Sequence, residues 1–117
     1  MSIDEFVRWA PGYNYDAELQ RLSLRSNSLR DLDRLSGSAP IRRLMIWNKS
    51  DHHWSATNDT QVATLLRFRL LEEIDLEGCP NVTDRSMSHF AKMHKLRKLE
   101  LSYTSISGEG VLWLRRV

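Results

Sequence analysis

Apolar residues recur with one spacing at four places along this chain. The order apolar-x-x-apolar-x-apolar occurs in segments 19–24, 41–46, 71–76 and 96–101, whose starts lie 22, 30 and 25 residues apart. The apolar positions are Leu19, Leu22, Leu24; Ile41, Leu44, Ile46; Leu71, Ile74, Leu76; and Leu96, Leu99, Leu101. Alternate side chains of a strand point to opposite faces, so we expect these residues inward and those between them outward. The pattern predicts four strands of one repeated unit.

Helix-start signals followed by apolar residues predict how the chain returns between these strands. Asn58 and Gln61 form a capping-box pattern, and Thr83 with Asp84 opens a second helical stretch. The first of these stretches carries Val62, Leu65 and Leu66; the second carries Met87, Phe90 and Ala91. Two weaker returns are predicted: a turn bearing Leu29, Leu32 and Leu35 that ends at the breaker 37–40, and a last helix capped by Ser107 with Glu109, Val111 and Leu114.

The segment ahead of the first repeat predicts a cap. Ser2 and Glu5 form a capping-box pattern before a helix that bears Phe6 and Trp9 and stops at 11–12, a Pro-Gly pair. The apolar end of a repeat stack needs a cover, and an amphipathic helix followed by two tyrosines suits that role. We therefore expect residues 1–18 to be an N-terminal helical cap and residues 19–117 to hold the repeats.

The ninth position of each repeated segment carries Asn27, Lys49, Cys79 and Thr104. With four segments in register, residues 19–117 resemble the leucine-rich repeat family, and 71-LEEIDLEGCPNVTDRSMSHF-90 is similar to the cysteine-containing subclass of F-box substrate receptors. The resemblance implies an α/β fold: a short solenoid with a parallel sheet on its concave face and helices or turns on its convex face. It also implies that Asn27, Cys79 and Thr104 form a buried structural ladder with neighbouring backbone.

Composition favours an ordinary globular domain. The chain has 117 residues, of which 41% are hydrophobic and 27% charged. One cysteine cannot form an internal disulfide, and no apolar run approaches the roughly 18 residues that span a bilayer. The first 13 residues resemble neither a secretory signal nor a transit peptide. We therefore expect a cytoplasmic or other intracellular, reducing setting and no membrane partner, with an organelle not excluded.

Cys79 is the obvious candidate nucleophile, since His89 follows ten residues later. A reactive thiol needs an electropositive, partly exposed place and a base within reach. The acidic residues just before Cys79 would instead raise its pKa, and His89 is expected on the return helix across the core. The chain has no phosphate loop, G-x-G-x-x-G or G-x-S-x-G motif. We expect no catalytic residue, no cofactor and no enzyme activity.

Two further candidate sites have simpler explanations. In the loop 48–59, Asp51, His52, His53 and Asp59 offer metal ligands, but no H-x-x-x-H or C-x-x-C spacing supports them, so we predict an interaction loop and no metal. The chain has 13 Arg and 4 Lys. A basic stripe that binds nucleic acid would consist of Arg42, Arg43, Arg67, Arg69, Arg115 and Arg116. A pI of about 8.9 with interleaved acids favours a solvated surface.

The outward positions of the predicted strands point to a function. They are Arg21, Ser23, Arg25; Arg43, Met45, Trp47; Glu73, Asp75, Glu77; and Lys98, Glu100, Ser102. This row changes from basic to basic and apolar, then acidic, then mixed, and Trp and Arg are common interface anchors. We expect all of them except the two serines to bind a protein partner of unknown identity through the concave sheet.

Two other functions remain open. The resemblance also allows a substrate receptor or assembly adaptor of a larger complex, either F-box-like or similar to the small subunits associated with mitochondrial ATP synthase and complex I. The arginine content motivates an RNA-contacting accessory protein of a ribonucleoprotein, although nucleic acid is the less expected partner.

Overall fold

The four repeated segments each contribute a strand to one sheet. A computed structural model describes residues 1–25, 29–46 and 55–108. In chain order the elements are α1 (Ile3–Trp9), β1 (Tyr13–Asp16), β2 (Arg21–Leu24), β3 (Arg43–Ile46), α2 (Asp59–Thr64), β4 (Glu73–Asp75), α3 (Met87–Ala91) and β5 (Lys98–Glu100). Short 3₁₀ helices span Leu32–Arg34, Leu65–Arg67 and Asp84–Ser86. The predicted α/β class is confirmed.

The sheet has the order β1-β2-β3-β4-β5, with β2 to β5 parallel and β1 antiparallel to β2. Matching positions of the repeated segments stand in register. Across the parallel strands, Arg21, Arg43, Glu73 and Lys98 form one aligned row, and Leu22, Leu44, Ile74 and Leu99 form the next. Because the spacing within each segment is the same, matching positions form straight rows of side chains across the strands. Successive rows alternate between the two faces of the sheet.

The core lies on the face of the sheet that the apolar positions share. Leu22, Leu44 and Ile74 are at most 3% exposed. The last segment is less protected: Leu99 on the edge strand β5 is only half-buried, as are Leu96 and Leu101 on either side of that strand. Leu19 was expected inward but is 40% exposed, since it lies in the turn between antiparallel strands and not at the end of a return segment.

The predicted return segments are present where the structure describes them. Asn58 Oδ1 accepts from the Gln61 amide at 2.9 Å and Gln61 Oε1 accepts from the Asn58 amide at 3.2 Å, which confirms the capping box of α2. The stretch after Thr83 begins as a 3₁₀ turn and continues as α3, with Met87 and Phe90 buried. In the weak return, Leu29, Leu32 and Leu35 are all buried around one 3₁₀ turn.

The N-terminal segment contains a helix and an unpredicted strand. Ser2 Oγ accepts from the Glu5 amide at 3.3 Å at the start of α1, and Phe6 is fully buried. After Gly12, whose φ of 87° suits a residue without a Cβ, the chain reverses into β1. Tyr13 packs edge-on against Phe6 with ring centroids 4.8 Å apart. The alternation Tyr-Asn-Tyr-Asp is the period of a strand, and it puts both tyrosines on the core side.

Several predictions fall outside the described residues. They concern Asn27 of the structural ladder, Lys49, Trp47 of the outward row, the loop positions 48–54 with Asp51, His52 and His53, the terminal Arg115 and Arg116, and the last helix from Glu109 onward. For these residues the sequence predictions stand untested.

Candidate functional site

The sheet presents one face away from the core, which we call the open face. Its rows consist of Asp16, Arg21, Arg43, Glu73 and Lys98, and of Asn14, Ser23, Met45, Asp75 and Glu100. β1 adds Asp16 beside Arg21 and Asn14 beside Ser23, because directly paired residues of antiparallel strands share a face. The sequence-predicted outward residues of the described strands are therefore brought together on one surface.

A groove of about 400 Å³ crosses the open face. Besides Leu44 and Ile74, its lining consists of Leu19, Arg21, Arg43, Met45, Glu73, Asp75, Lys98 and Glu100. Leu19 and Met45 supply apolar surface, and the rest of these side chains are charged. Sequence reasoning missed Leu19 as part of this surface, because the repeat pattern assigned it to the core.

The basic and acidic parts of the open face are joined by an ion pair. Arg43 Nε lies 2.6 Å from Glu73 Oε2, and Arg43 Nη1 also donates to the carbonyl of Leu19. The side chains are 33% and 26% exposed, so the pair adds about 1 kcal/mol or less to stability. Arg43 and Glu73 largely neutralise each other. The charge contrast of the open face then rests on Arg21 on one side and Asp75 on the other.

Arg21 differs from Arg43 in that the Nε of its guanidinium has no acceptor among the described residues. This Nε is buried. Along the row it stands between Asp16 on β1 and Arg43 on β3. A buried donor without a partner costs on the order of 1 to 3 kcal/mol. Arg21 is therefore the group on this face that gains most from an added acceptor.

Acidic side chains of the open face also hold the ends of their strands. Asp75 Oδ1 accepts from the Glu77 amide at 3.0 Å, and Glu100 Oε1 accepts from the Ser102 amide at 2.9 Å. The Ser102 hydroxyl donates to the same oxygen. These hydrogen bonds, from the Ser102 hydroxyl first and its amide second, hold the pKa of Glu100 below its ordinary value. Hydrogen bonds thus fix both carboxylates in place, and the lowered pKa of Glu100 keeps it ionised near neutral pH.

Most of the described arginines of the candidate nucleic-acid stripe bind other groups of this chain. Arg42 and Arg97 both bind the carboxylate of Glu72, each at 3.2 Å. Arg67 Nη1 donates to the Leu32 carbonyl at 2.7 Å. These contacts favour structural roles for Arg42 and Arg67 over a continuous phosphate-binding stripe.

Cys79 lies in the core and not in a reactive setting. Its side chain is 0% exposed. Burial raises the pKa of the Cys79 thiol to about 11, and the charge of Asp75 adds to the rise, while hydrogen bonds with Ser55 and Thr57 oppose it. A neutral, enclosed thiol is a poor nucleophile. The geometry agrees with the structural role expected of Cys79.

The polar partners of Cys79 were not anticipated. Ser55 and Thr57 are buried, with their hydroxyl oxygens 2.8 Å apart, and Thr57 Oγ1 accepts from the Leu29 amide at 3.0 Å. The Ser55 amide donates to the Gly78 carbonyl at 2.9 Å. Two buried hydroxyls therefore connect consecutive turns of the chain beside the thiol. Their only sequence signal was their place at the end of the long loop, which suggested solvent exposure.

Thr104, the last member of the expected ladder, makes a local contact. Its hydroxyl donates to the Leu101 carbonyl at 2.7 Å within the same segment, and the residue is half-buried. It therefore caps its own turn and does not reach the preceding repeat through this hydroxyl.

Two aspartates link successive return segments of the chain. Asp59 accepts from the Thr83 amide at 2.8 Å, from the Thr83 hydroxyl at 2.6 Å and from the Ser86 hydroxyl. One segment later, Asp84 accepts from the Ser107 amide at 2.8 Å and hydroxyl at 2.6 Å. We call these contacts the carboxylate ladder. Asp59 was a candidate metal ligand, but its oxygens are engaged by Thr83 and Ser86.

The ladder has a readable sequence signal. Each carboxylate directly follows a cap residue, in the pairs Asn58-Asp59 and Thr83-Asp84. The corresponding pair at the end is Ser107-Gly108, which has a cap residue but no carboxylate. Periodic placement of the aspartates could have indicated contacts between successive segments.

Within residues 1–25, 29–46 and 55–108, no three His, Cys, Asp or Glu side chains are grouped closely enough to hold a metal ion. Over the same ranges, no helix combines the length and apolar character needed to pass through a bilayer.

A scan against models of protein families and a search of curated proteins give no match to this chain. Its most distinctive described features are the charge pattern of the open face and the Arg21 Nε, which has no acceptor among the described residues.

Proposed function

We propose that this chain is a short leucine-rich-repeat solenoid that binds a protein partner through the open face. The alignment of matching repeat positions in parallel strands supports the repeat architecture. In this arrangement one face of the sheet is covered by the return segments and the other is available to a partner. Repeat domains commonly use such extended faces for binding.

Arg21 carries the functional proposal. Its buried Nε has no acceptor among the described residues, and it lines a groove of about 400 Å³. An arginine fork matches the geometry of a carboxylate, and a charge-assisted hydrogen bond is roughly twice as strong as a neutral one. A partner carboxylate in the groove would bind the Arg21 guanidinium, whose buried Nε has no acceptor among the described residues.

The rest of the groove defines the other features of the partner. Met45 lies between Ser23 and Asp75 in the second row and offers an apolar contact. Asp75 suits a basic group of the partner, because its carboxylate belongs to the lining of the same groove. The partner segment thus presents a carboxylate, an apolar side chain and a basic side chain in that order across the strands.

The experiment compares how tightly wild type and groove variants of this chain bind a purified partner protein. Proteins captured from native extract would be purified, and their binding kinetics measured with wild type, Arg21→Ala and Met45→Ala. We expect Arg21→Ala to weaken binding at least roughly tenfold, which corresponds to about 1.4 kcal/mol, mainly through faster dissociation. Arg85→Ala is the matched control, since Arg85 is exposed in the 3₁₀ turn before α3 and lies outside the groove.

Unfolding midpoints of all variants would confirm that binding and not folding has changed. A captured protein that binds Arg21→Ala and Met45→Ala as tightly as wild type would contradict the open face as the binding surface. Loss of binding in Arg85→Ala alone would place the interface on the return segments instead.

A further inference from the structure

A second surface lies where two return segments come back to the sheet. A groove of about 480 Å³ separates the segment after α2 from the segment after α3. Arg69, Lys92, His94 and Lys95 line it together with apolar residues that include Leu66 and Met93. All four polar side chains are exposed. We call this groove and its neighbour described next the basic grooves.

The neighbouring groove continues the same character. It measures about 470 Å³, is lined by residues between 90 and 99, and shares Met93 and His94 with the first. Arg97 and Lys98 belong to its lining. Met93 is half-buried and stands between the two grooves as a common apolar wall.

The charge of the basic grooves is not balanced locally. No aspartate or glutamate belongs to the described lining of either groove. The whole chain is nearly neutral, with 17 Lys and Arg against 15 Asp and Glu, so this surface is a local segregation of charge. Arg97 of the second groove pairs with Glu72, but Glu72 is shared with Arg42. An anionic ligand is the natural complement.

The lining distinguishes an acidic protein segment from nucleic acid. Single-stranded nucleic acid binds by stacking its bases on exposed aromatic rings, but Phe68 and Phe90 are only 3% and 1% exposed. Leu66 and Met93 are half-buried aliphatic surfaces of the kind that receives an apolar side chain. The combination of an aliphatic floor and a basic rim fits a peptide that alternates carboxylates with leucine-like residues.

We propose that the basic grooves bind an acidic peptide segment of another protein, with apolar side chains on either side of Met93 and carboxylates on Lys92, Lys95 and Arg69. Lys98 lines both the second basic groove and the open-face groove, but Arg69, Lys92, Met93 and Lys95, which carry this proposal, lie outside the open-face groove. This site makes the chain a two-surface adaptor in which each surface recognises a different chemistry.

The probe is a short labelled peptide of Glu-Glu-Leu repeats, compared with a peptide of Glu-Glu-Ser repeats. We expect the leucine peptide to bind the full chain at low salt, and Lys92→Glu with Lys95→Glu to weaken it roughly tenfold or more. Lys92→Arg with Lys95→Arg should retain binding. Met93→Gln should weaken the leucine peptide several-fold and leave the serine peptide unchanged.

The double variant could fail to fold, so two further measurements are made. They are the binding of the single variant Lys95→Glu and the salt dependence of wild-type binding. Arg21→Ala should bind the probe as wild type does, so failure of this proposal and failure of the open-face proposal are distinguishable. Absence of binding at low salt, or equal binding by the charge-reversed variants, would overturn the proposal. Tighter binding of poly-uridine RNA that is insensitive to Met93→Gln would overturn it in favour of a phosphate-binding surface.

Discussion

The surroundings of Cys79 lower the reactivity of its thiol. The thiol is enclosed among Ser55 and Thr57, and its pKa rises to about 11, chiefly because burial disfavours the thiolate. At neutral pH the nucleophilic form is then scarce as well as inaccessible. The residue contributes to packing and to a polar contact between turns of the chain.

We expect Cys79 to react slowly with thiol reagents in the native protein at neutral pH. The reason is that both the exposure and the thiolate fraction are low. Labelling rates followed by mass spectrometry, with and without denaturant, test this expectation. Rapid native labelling that matches the denatured rate would contradict the buried, neutral thiol.

Core residues differ in burial between the central strands and the edge strand of the sheet. Ile74 on β4 is 1% exposed, whereas Leu99, its register partner on β5, is only half-buried. We expect Ile74→Ala to lower the free energy of unfolding by about 2 to 5 kcal/mol, because a buried cavity remains. Leu99→Ala should cost less, since it already borders solvent. Chemical denaturation measures both, and an equal or larger loss for Leu99→Ala would contradict this order.

Between elements, the carboxylate ladder joins the start of α2 to the turn before α3, and that turn to Ser107. Burial alone would raise the pKa of Asp59, but hydrogen bonds from Ser86 and Thr83 outweigh it and hold the pKa below the ordinary value. For Asp84, the Ser107 hydroxyl and amide lower the pKa directly. The ionised carboxylates therefore favour the folded state.

This coupling predicts a pH dependence. A carboxylate whose folded pKa is depressed adds stability above its unfolded pKa of about 4, and this contribution is lost as the pH falls through the folded value. We expect Asp59→Asn to be less stable than wild type at neutral pH but to lose less stability between about pH 5 and pH 3. Thermal unfolding across this range is the measurement.

Thr83→Val is the matched variant for Asp59→Asn, because it removes one hydroxyl donor and retains the backbone amide and the shape of the side chain. It should reduce the acid sensitivity in the same direction by a smaller amount. An Asp59→Asn protein with the same pH slope as wild type would contradict a stabilising role for the ladder.

At the scale of the whole molecule, the N-terminal unit protects the start of the sheet. β1 pairs along β2, and the hydroxyls of Tyr13 and Tyr15 donate to the carbonyls of Arg30 and Pro40 at 2.9 and 2.6 Å. Without this unit, β2 would present an unpaired edge and the apolar positions near Phe6 would meet water. Exposed strand edges promote pairing between molecules.

We expect a chain that begins at residue 19 to lose cooperative unfolding and to self-associate. Removal of β1 frees the edge of β2, and removal of α1 takes away the buried Phe6. Thermal unfolding and size-exclusion chromatography would show both effects. Trp9→Ala in the full chain is the control, because Trp9 is 43% exposed and should change stability little. A monomeric truncated chain that unfolds cooperatively would contradict the protective role.

The sequence alone determined the local features of this protein. Alternation around Leu22 and Leu24 predicted a strand, and the cap residues Asn58 and Thr83 predicted the starts of return helices, as the structure confirms. Outward placement of Arg21 and Met45 followed from the same alternation. These features depend on spacing and hydrogen bonds within a few residues, which is why a single sequence carries them.

Only the tertiary structure decided which distant residues meet. It paired Arg43 with Glu73, left the Nε of Arg21 without an acceptor among the described residues, and put Leu19 in an exposed turn beside an antiparallel β1. It also gathered Lys92 and Arg69 around one groove. The physical reason is that periodicity fixes the face on which a side chain lies, whereas strand register and the direction of each return fix its neighbours across the fold.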